Sequence, residues 1–162
     1  MQGAARTHEA RPGWLRALRF YLTFILVGNF LWEILHLPLY TLWRTGSFGE
    51  KAFAVLHCTG GDVLIALATL TASLLVSGDQ EWPERRFARV GAIAIVLGLA
   101  YTTFSEWRNV YVSAAWSYAD SMPVIPILGV KIGLSPLLQW LIVPLFAFHF
   151  AKRMTQRKRA PE

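Results

Sequence analysis

Residues 20–43 read FYLTFILVGNFLWEILHLPLYTLW, and this stretch decides the class of fold. It is apolar except for Asn29, Glu33 and His36. As a helix rising about 1.5 Å per residue it is long enough to cross a hydrocarbon core of roughly 30 Å. A cleaved secretory signal has a shorter apolar region closed by a small-residue cleavage site. This one runs instead into His36-Leu-Pro-Leu-Tyr40 and Trp43, so it is expected to remain in the mature protein.

Three further stretches have the same character, at about 52–76, 88–111 and 135–153. The last opens on Ser135-Pro136, a helix start, and closes on Lys152-Arg153. Residues 1–19 carry Arg6, Arg11, Arg16 and Arg19 among Gly, Ala and Pro and predict a disordered basic tail, with a second basic tail at 154–162. Between Val112 and Gly133, Pro123 and Pro126 interrupt helical continuity while the composition stays apolar. That pattern predicts an interfacial or re-entrant segment between helices 3 and 4. The expected fold class is all-α, an integral membrane four-helix bundle over residues 20–153.

The composition agrees with this reading. Of 162 residues 54% are hydrophobic, and the mean hydropathy of +0.38 is too high for an ordinary soluble domain of this length. The net charge of +6 sits in tails and short loops beside apolar stretches, which suits anionic lipid headgroups rather than nucleic acid. Cys58 is alone, so no intramolecular disulfide can form. Twelve Lys/Arg fall in the two tails, the 77–89 loop and the Lys152-Arg153 close of the fourth span, against four (Arg44, Lys51, Arg108, Lys131) on the other side. The positive-inside rule therefore places both termini in the cytoplasm of a multi-pass inner-membrane protein of bacterial type. Trp14 and Trp82 then fall at the inner interface, and Trp43, Trp107, Trp116 and Trp140 toward the outer one. No internal repeat, phosphate-binding glycine loop, nucleophilic hydrolase motif or nucleic-acid module is present.

In this topology the ionisable residues converge on the outer half. Glu33 and His36 lie in the first span, His57, Cys58 and Asp62 in the second, and Glu106 in the third. A carboxylate in a bilayer costs about 2.5–3.5 kcal/mol on insertion scales, so three in one leaflet need a shared partner or water. Asn29, Glu33, His36 and Tyr40 recur at steps of four, three and four and share one helical stripe. Cys58 and Asp62 do the same, as do Thr102 and Glu106. Glu33, Asp62 and Glu106 are the candidate acid–base (catalytic) residues. His36 and His57, one from each of two successive helices, are the candidate cofactor ligands, for a metal ion together with Glu33 or for haem. Glu33-x-x-His36 has the spacing of di-iron bundles, which need the motif twice, and this chain has it once. Asn29, Trp32, Tyr40, Trp107, Tyr111, Trp116 and Tyr118 are the candidate substrate pocket, their aromatic faces being suited to an apolar substrate or a cationic intermediate.

The residues Trp116-Ser-Tyr118, Ile127-Leu-Gly129 and Ile132-Gly-Leu-Ser-Pro136-Leu-Leu-Gln-Trp140 resemble the end of lycopene-cyclase-type membrane domains. In those, a tryptophan and a tyrosine precede a glycine-rich approach to a Pro-x-Glu-Glu motif. The resemblance covers under a fifth of the chain and implies acid–base chemistry on an isoprenoid. Leu138 and Gln139 stand where the two glutamates would be, so the acidic pair is not carried over. The expected function is that of a membrane protein with a polar cavity toward the outer face, handling a lipid-soluble substrate or a metal or haem cofactor. The alternative is a small transporter, a proton- or ion-relay subunit, or an accessory subunit of a larger complex, with homo-oligomerisation supplying further helices.

Overall fold

The computed structural model describes residues 12–77 and 82–156. Most of them are helical: α1 (Pro12–His36), the short α2 (Leu42–Thr45), α3 (Phe48–Ser77), α4 (Phe87–Trp107) and α5 (Leu134–Gln156). Four helices are long and apolar enough to cross a membrane, within Gly13–Leu39, Phe48–Ser77, Phe87–Val112 and Leu134–Thr155. Among these, α1 touches α3 and α5, and α4 touches α3 and α5.

Each helix buries one stripe at helical spacing. In α1 the stripe is Ala17, Tyr21, Ile25, Asn29, Glu33 and His36, and in α4 it is Val90, Ala94, Gly98, Thr102 and Glu106. α3 buries Val55, Thr59, Asp62, Ala66, Thr69 and Ser73, and α5 buries Gln139, Trp140, Val143, Ala147, Phe148 and Ala151. The stripes change character along their length. Toward the 82–87 end they form an apolar core of Ala17, Tyr21, Ile25, Ala66, Leu70, Trp82, Val90, Ala94, Val143, Ala147 and Phe148. Toward the Tyr40 end they are polar. Outward faces are apolar, with Leu35, Leu64 and Leu75 mostly exposed, as suits contact with lipid chains.

Helix ends differ from the sequence expectation for identifiable reasons. α1 begins at Pro12, inside the expected tail, because Ala17 and Tyr21 extend the buried stripe one turn at a time beneath Ile25. The remainder of that tail, and residues 157–162 of the other, lie outside the described residues. α1 ends at His36, and the first span at Leu39 rather than Trp43. Pro38 turns the chain into a 3₁₀ turn, Leu37–Leu39, and Tyr40 becomes extended and bridges Tyr118. α3 starts at Phe48 because Ser47 and Glu50 form a capping box: Glu50 N–H donates to Ser47 Oγ at 3.3 Å, and Ser47 N–H donates to Glu50 Oε2 at 2.7 Å. At the opposite end, Arg86 donates to the Ser77 carbonyl at 2.6 Å, tying the close of α3 to the start of α4.

The segment between α4 and α5 is helical only at its start. After a π turn at Arg108–Val112, residues 117–119 pair with 39–41, Thr41 N–H donating to the Ser117 carbonyl and Ala119 N–H to that of Leu39. A hairpin follows, β1 (Val124–Ile127) antiparallel to β2 (Val130–Gly133), with Leu128 and Gly129 at its tip. Both tip residues have positive φ, the geometry of a two-residue primed turn. Trp82, in the α3–α4 connection, and Trp140, on α5, both pack into the apolar core, where their bulk fills the space between helices.

Candidate functional site

The polar ends of the four stripes meet. Gln139, on α5, places one amide nitrogen 3.0 Å from each of three acceptors: Asn29 Oδ1, Glu33 Oε1 and Asp62 Oδ2. The Glu33 and Asp62 oxygens are thus no more than about 6 Å apart, in a low-dielectric interior. The other Glu33 oxygen lies 3.1 Å from His36 Nε2. His36 Nδ1 faces Ser135 Oγ at 3.1 Å, and that hydroxyl accepts a bond from the Trp32 indole at 3.2 Å. His36 Nε2–H thus donates to Glu33, while Nδ1 shares a hydrogen bond with the Ser135 hydroxyl.

A second group adjoins the first. Tyr118 Oη donates to Glu106 Oε2 at 2.5 Å and accepts the Gly133 N–H at 2.9 Å. Burial and the Glu106 carboxylate push the Tyr118 phenol well above the ordinary tyrosine range, so it remains a proton donor. Tyr40 is likewise raised, mainly by burial and then by Glu106; its ring stands edge-on to His36 at 5.3 Å and 5.8 Å from that of Tyr118. Glu106 is near enough to interact electrostatically with His36 and Glu33. The Trp116 indole approaches Glu106 without reaching hydrogen-bond geometry.

Of the residues singled out in the sequence, Asn29, Glu33, His36, Asp62, Glu106, Tyr40 and Tyr118 are buried or half-buried in these two groups, with Trp32 and Trp116 at their edge. His57, Trp107 and Tyr111 are not brought to them. His57 lies on the exposed face of α3, stacked on Phe53 at 5.4 Å, because Val55, Thr59 and Asp62 take the inward face. His36 and His57 therefore do not form a shared site within this chain. Among the described residues no group of three or more His, Cys, Asp or Glu is arranged to hold a metal ion. Trp107 and Tyr111 are exposed, and Tyr111 donates to the Lys131 carbonyl at 2.6 Å, fastening the hairpin. Sequence reasoning did not select Gln139 or Ser135 as site residues. The signal available was that they are the polar residues in the first half of an otherwise apolar fourth span.

Comparison with protein families, curated proteins and solved structures gives no match to this chain.

Proposed function

We propose that this chain is a bacterial inner-membrane four-helix bundle with both termini cytoplasmic, and that Glu33, His36, Asp62 and Glu106 form an acid–base site reached from the outer face. Its substrate class is a lipid-soluble, isoprenoid-like molecule. The observation that carries this reading is the donor deficit at Gln139: two amide hydrogens face three acceptors at 3.0 Å. A proton carried by either Glu33 or Asp62 supplies the missing donor and removes the repulsion between two carboxylates whose oxygens lie no more than about 6 Å apart. A carboxyl group holding such a proton can deliver it to an alkene or leaving group and take it back, with His36 and the Ser135 hydroxyl as the adjoining relay. Trp32, Tyr40 and Tyr118 offer ring faces to a developing positive charge.

A one-ended site fits better than a relay across the membrane. The ionisable and amide groups stop at Asn29; beyond it the helices contribute Ile25, Ala66, Ala94 and Val143, and the buried Thr69 and Ser73 hydroxyls bond carbonyls of their own helix. Infrared titration tests the proton. A protonated-carboxyl C=O band at neutral pH, lost in both Glu33→Gln and Asp62→Asn, is expected because the proton belongs to the pair. Fully ionised carboxylates, or complete rescue of a deletion strain by Glu33→Gln, would overturn the reading.

A further inference from the structure

Two threonine hydroxyls in the helices behave unlike their neighbours. Thr69, Thr71, Ser73 and Thr103 bond carbonyls three or four residues back in their own helices. Thr59 Oγ1 and Thr102 Oγ1 have no hydrogen-bond partner, although the residues are only 4% and 6% exposed. A buried hydroxyl with no partner is unfavourable, so two in one interior call for a ligand. Trp116 Nε1 is a third buried polar atom without a partner.

Their places in the fold converge. Thr59 precedes Asp62 by one turn on the buried stripe of α3, and Thr102 precedes Glu106 by one turn on that of α4. The two helices touch and are joined as an antiparallel pair. Counted from the α3–α4 connection, Asp62 lies fifteen residues before the last residue of α3 and Thr102 fifteen after the first of α4. Thr59 and Glu106 each lie about one turn further from that connection. Trp140 reinforces the alignment, its ring lying against Gly98, one turn from Thr102, and beside Asp62. The Trp116 indole faces the same carboxyl group of Glu106.

We infer that Thr59, Thr102 and Trp116 hold a neutral hydroxyl oxygen, of water or of an alcohol headgroup, between Asp62 and Glu106. The donor set selects this chemistry. An indole N–H disfavours a cation, three nearby carboxyl groups disfavour an anion, and threonine hydroxyls both donate and accept. The bound oxygen joins the Gln139 group to the Glu106–Tyr118 group. A proton passing from one carboxyl group to that oxygen, as the oxygen's own proton passes to the other, leaves the ligand unchanged. The inference rests on the acid–base reading above and names what its two halves share.

The test is infrared spectroscopy with thermal unfolding of Thr59→Val and Thr102→Val, which remove each hydroxyl without changing shape. Both variants are expected to shift the carboxyl bands assigned to Asp62 and Glu106 and to lower Tm, while Thr59→Ser keeps the wild-type spectrum. Unshifted bands with an unchanged or raised Tm are the signature of hydroxyls that bind nothing, and overturn the inference. In wild-type protein, an O–H band moved by H₂¹⁸O exchange identifies water. If instead exhaustive delipidation alone reproduces the Thr→Val spectrum, the oxygen is that of an alcohol headgroup. Neither response in the wild type also overturns the inference, and this measurement decides if a valine variant does not fold. Absence of any protonated-carboxyl band in the wild type is a separate result, which removes the acid–base reading itself.

Discussion

Gln139 gives the cluster its common donor, and Gln139→Leu would leave Asn29, Glu33 and Asp62 without it. Each buried acceptor deprived of its partner costs about 1–3 kcal/mol, and charged ones more. The variant is therefore expected to lose about 3 kcal/mol or more of stability, measured by unfolding in detergent micelles; a change within error would show that the amide is not the organising group. Tyr118 gives a pH-dependent counterpart. Its phenol is raised by burial and by the Glu106 carboxylate, so its contribution is fully present below the ordinary tyrosine pKa of about 10 and is lost as pH rises through the folded-state value. Wild-type stability should fall as pH climbs above about 10. Tyr118→Phe should be less stable near neutrality, through loss of its bond to Glu106, yet show a shallower alkaline decline. Parallel curves for the two proteins would contradict this account.

At the scale of helices, close approach depends on residues without side chains. A methyl group on Gly98 would collide with the Trp140 ring, and one on Gly28 would come within 2.8 Å of Val143 Cγ1. Gly98→Ala must push α4 away from α5 or turn Trp140 out of its rotamer, and overpacking of this kind costs about 1–3 kcal/mol. A reduced Tm is expected, with partial recovery in the pair Gly98→Ala/Trp140→Phe; an unaffected Gly98→Ala would mean that the two helices are not seated this closely. The four apolar stretches were legible because a membrane helix needs about 20 apolar residues and little else has so plain a signature. Their ends were less so. The Ser47/Glu50 capping box was readable in principle, whereas the start at Pro12 was masked by arginines whose composition resembles a tail. The 124–133 hairpin was hidden for another reason: its register depends on Leu128 and Gly129 taking positive φ, and leucine seldom signals that geometry.

Across the whole molecule, depth along the helices was easier to read than facing. Glu33, His36, Asp62 and Glu106 share both depth and inward faces, so their convergence was expected from spacing. His57 shares the depth alone, and two residues of helical rotation carry it from the inward face set by Val55 and Thr59 to the outside. Gln139 was read as a departure from a motif, because its three partners come from two other helices and no local pattern encodes them. The same convergence sets the last prediction. The 37–47 connection and the 113–133 segment lie at the end of the helices that carries the acid cluster, while the α3–α4 connection lies at the other. With twelve Lys/Arg placed toward that second end and four toward the first, reporters fused near Gly46 and Ala119 should be periplasmic, and those after Gly78 and Arg159 cytoplasmic. The reporter pattern determines which leaflet a lipid-soluble substrate would use. Cytoplasmic activity at Gly46 or Ala119 would turn Glu33, Asp62 and Glu106 toward the inner leaflet and end the outer-face assignment, while the hydrogen bonds at Gln139 would be unchanged. Retained outer-face assignment together with loss of function in Glu33→Gln would leave an acid–base centre opening to the periplasmic side, closed below by Ile25, Ala66, Ala94 and Val143.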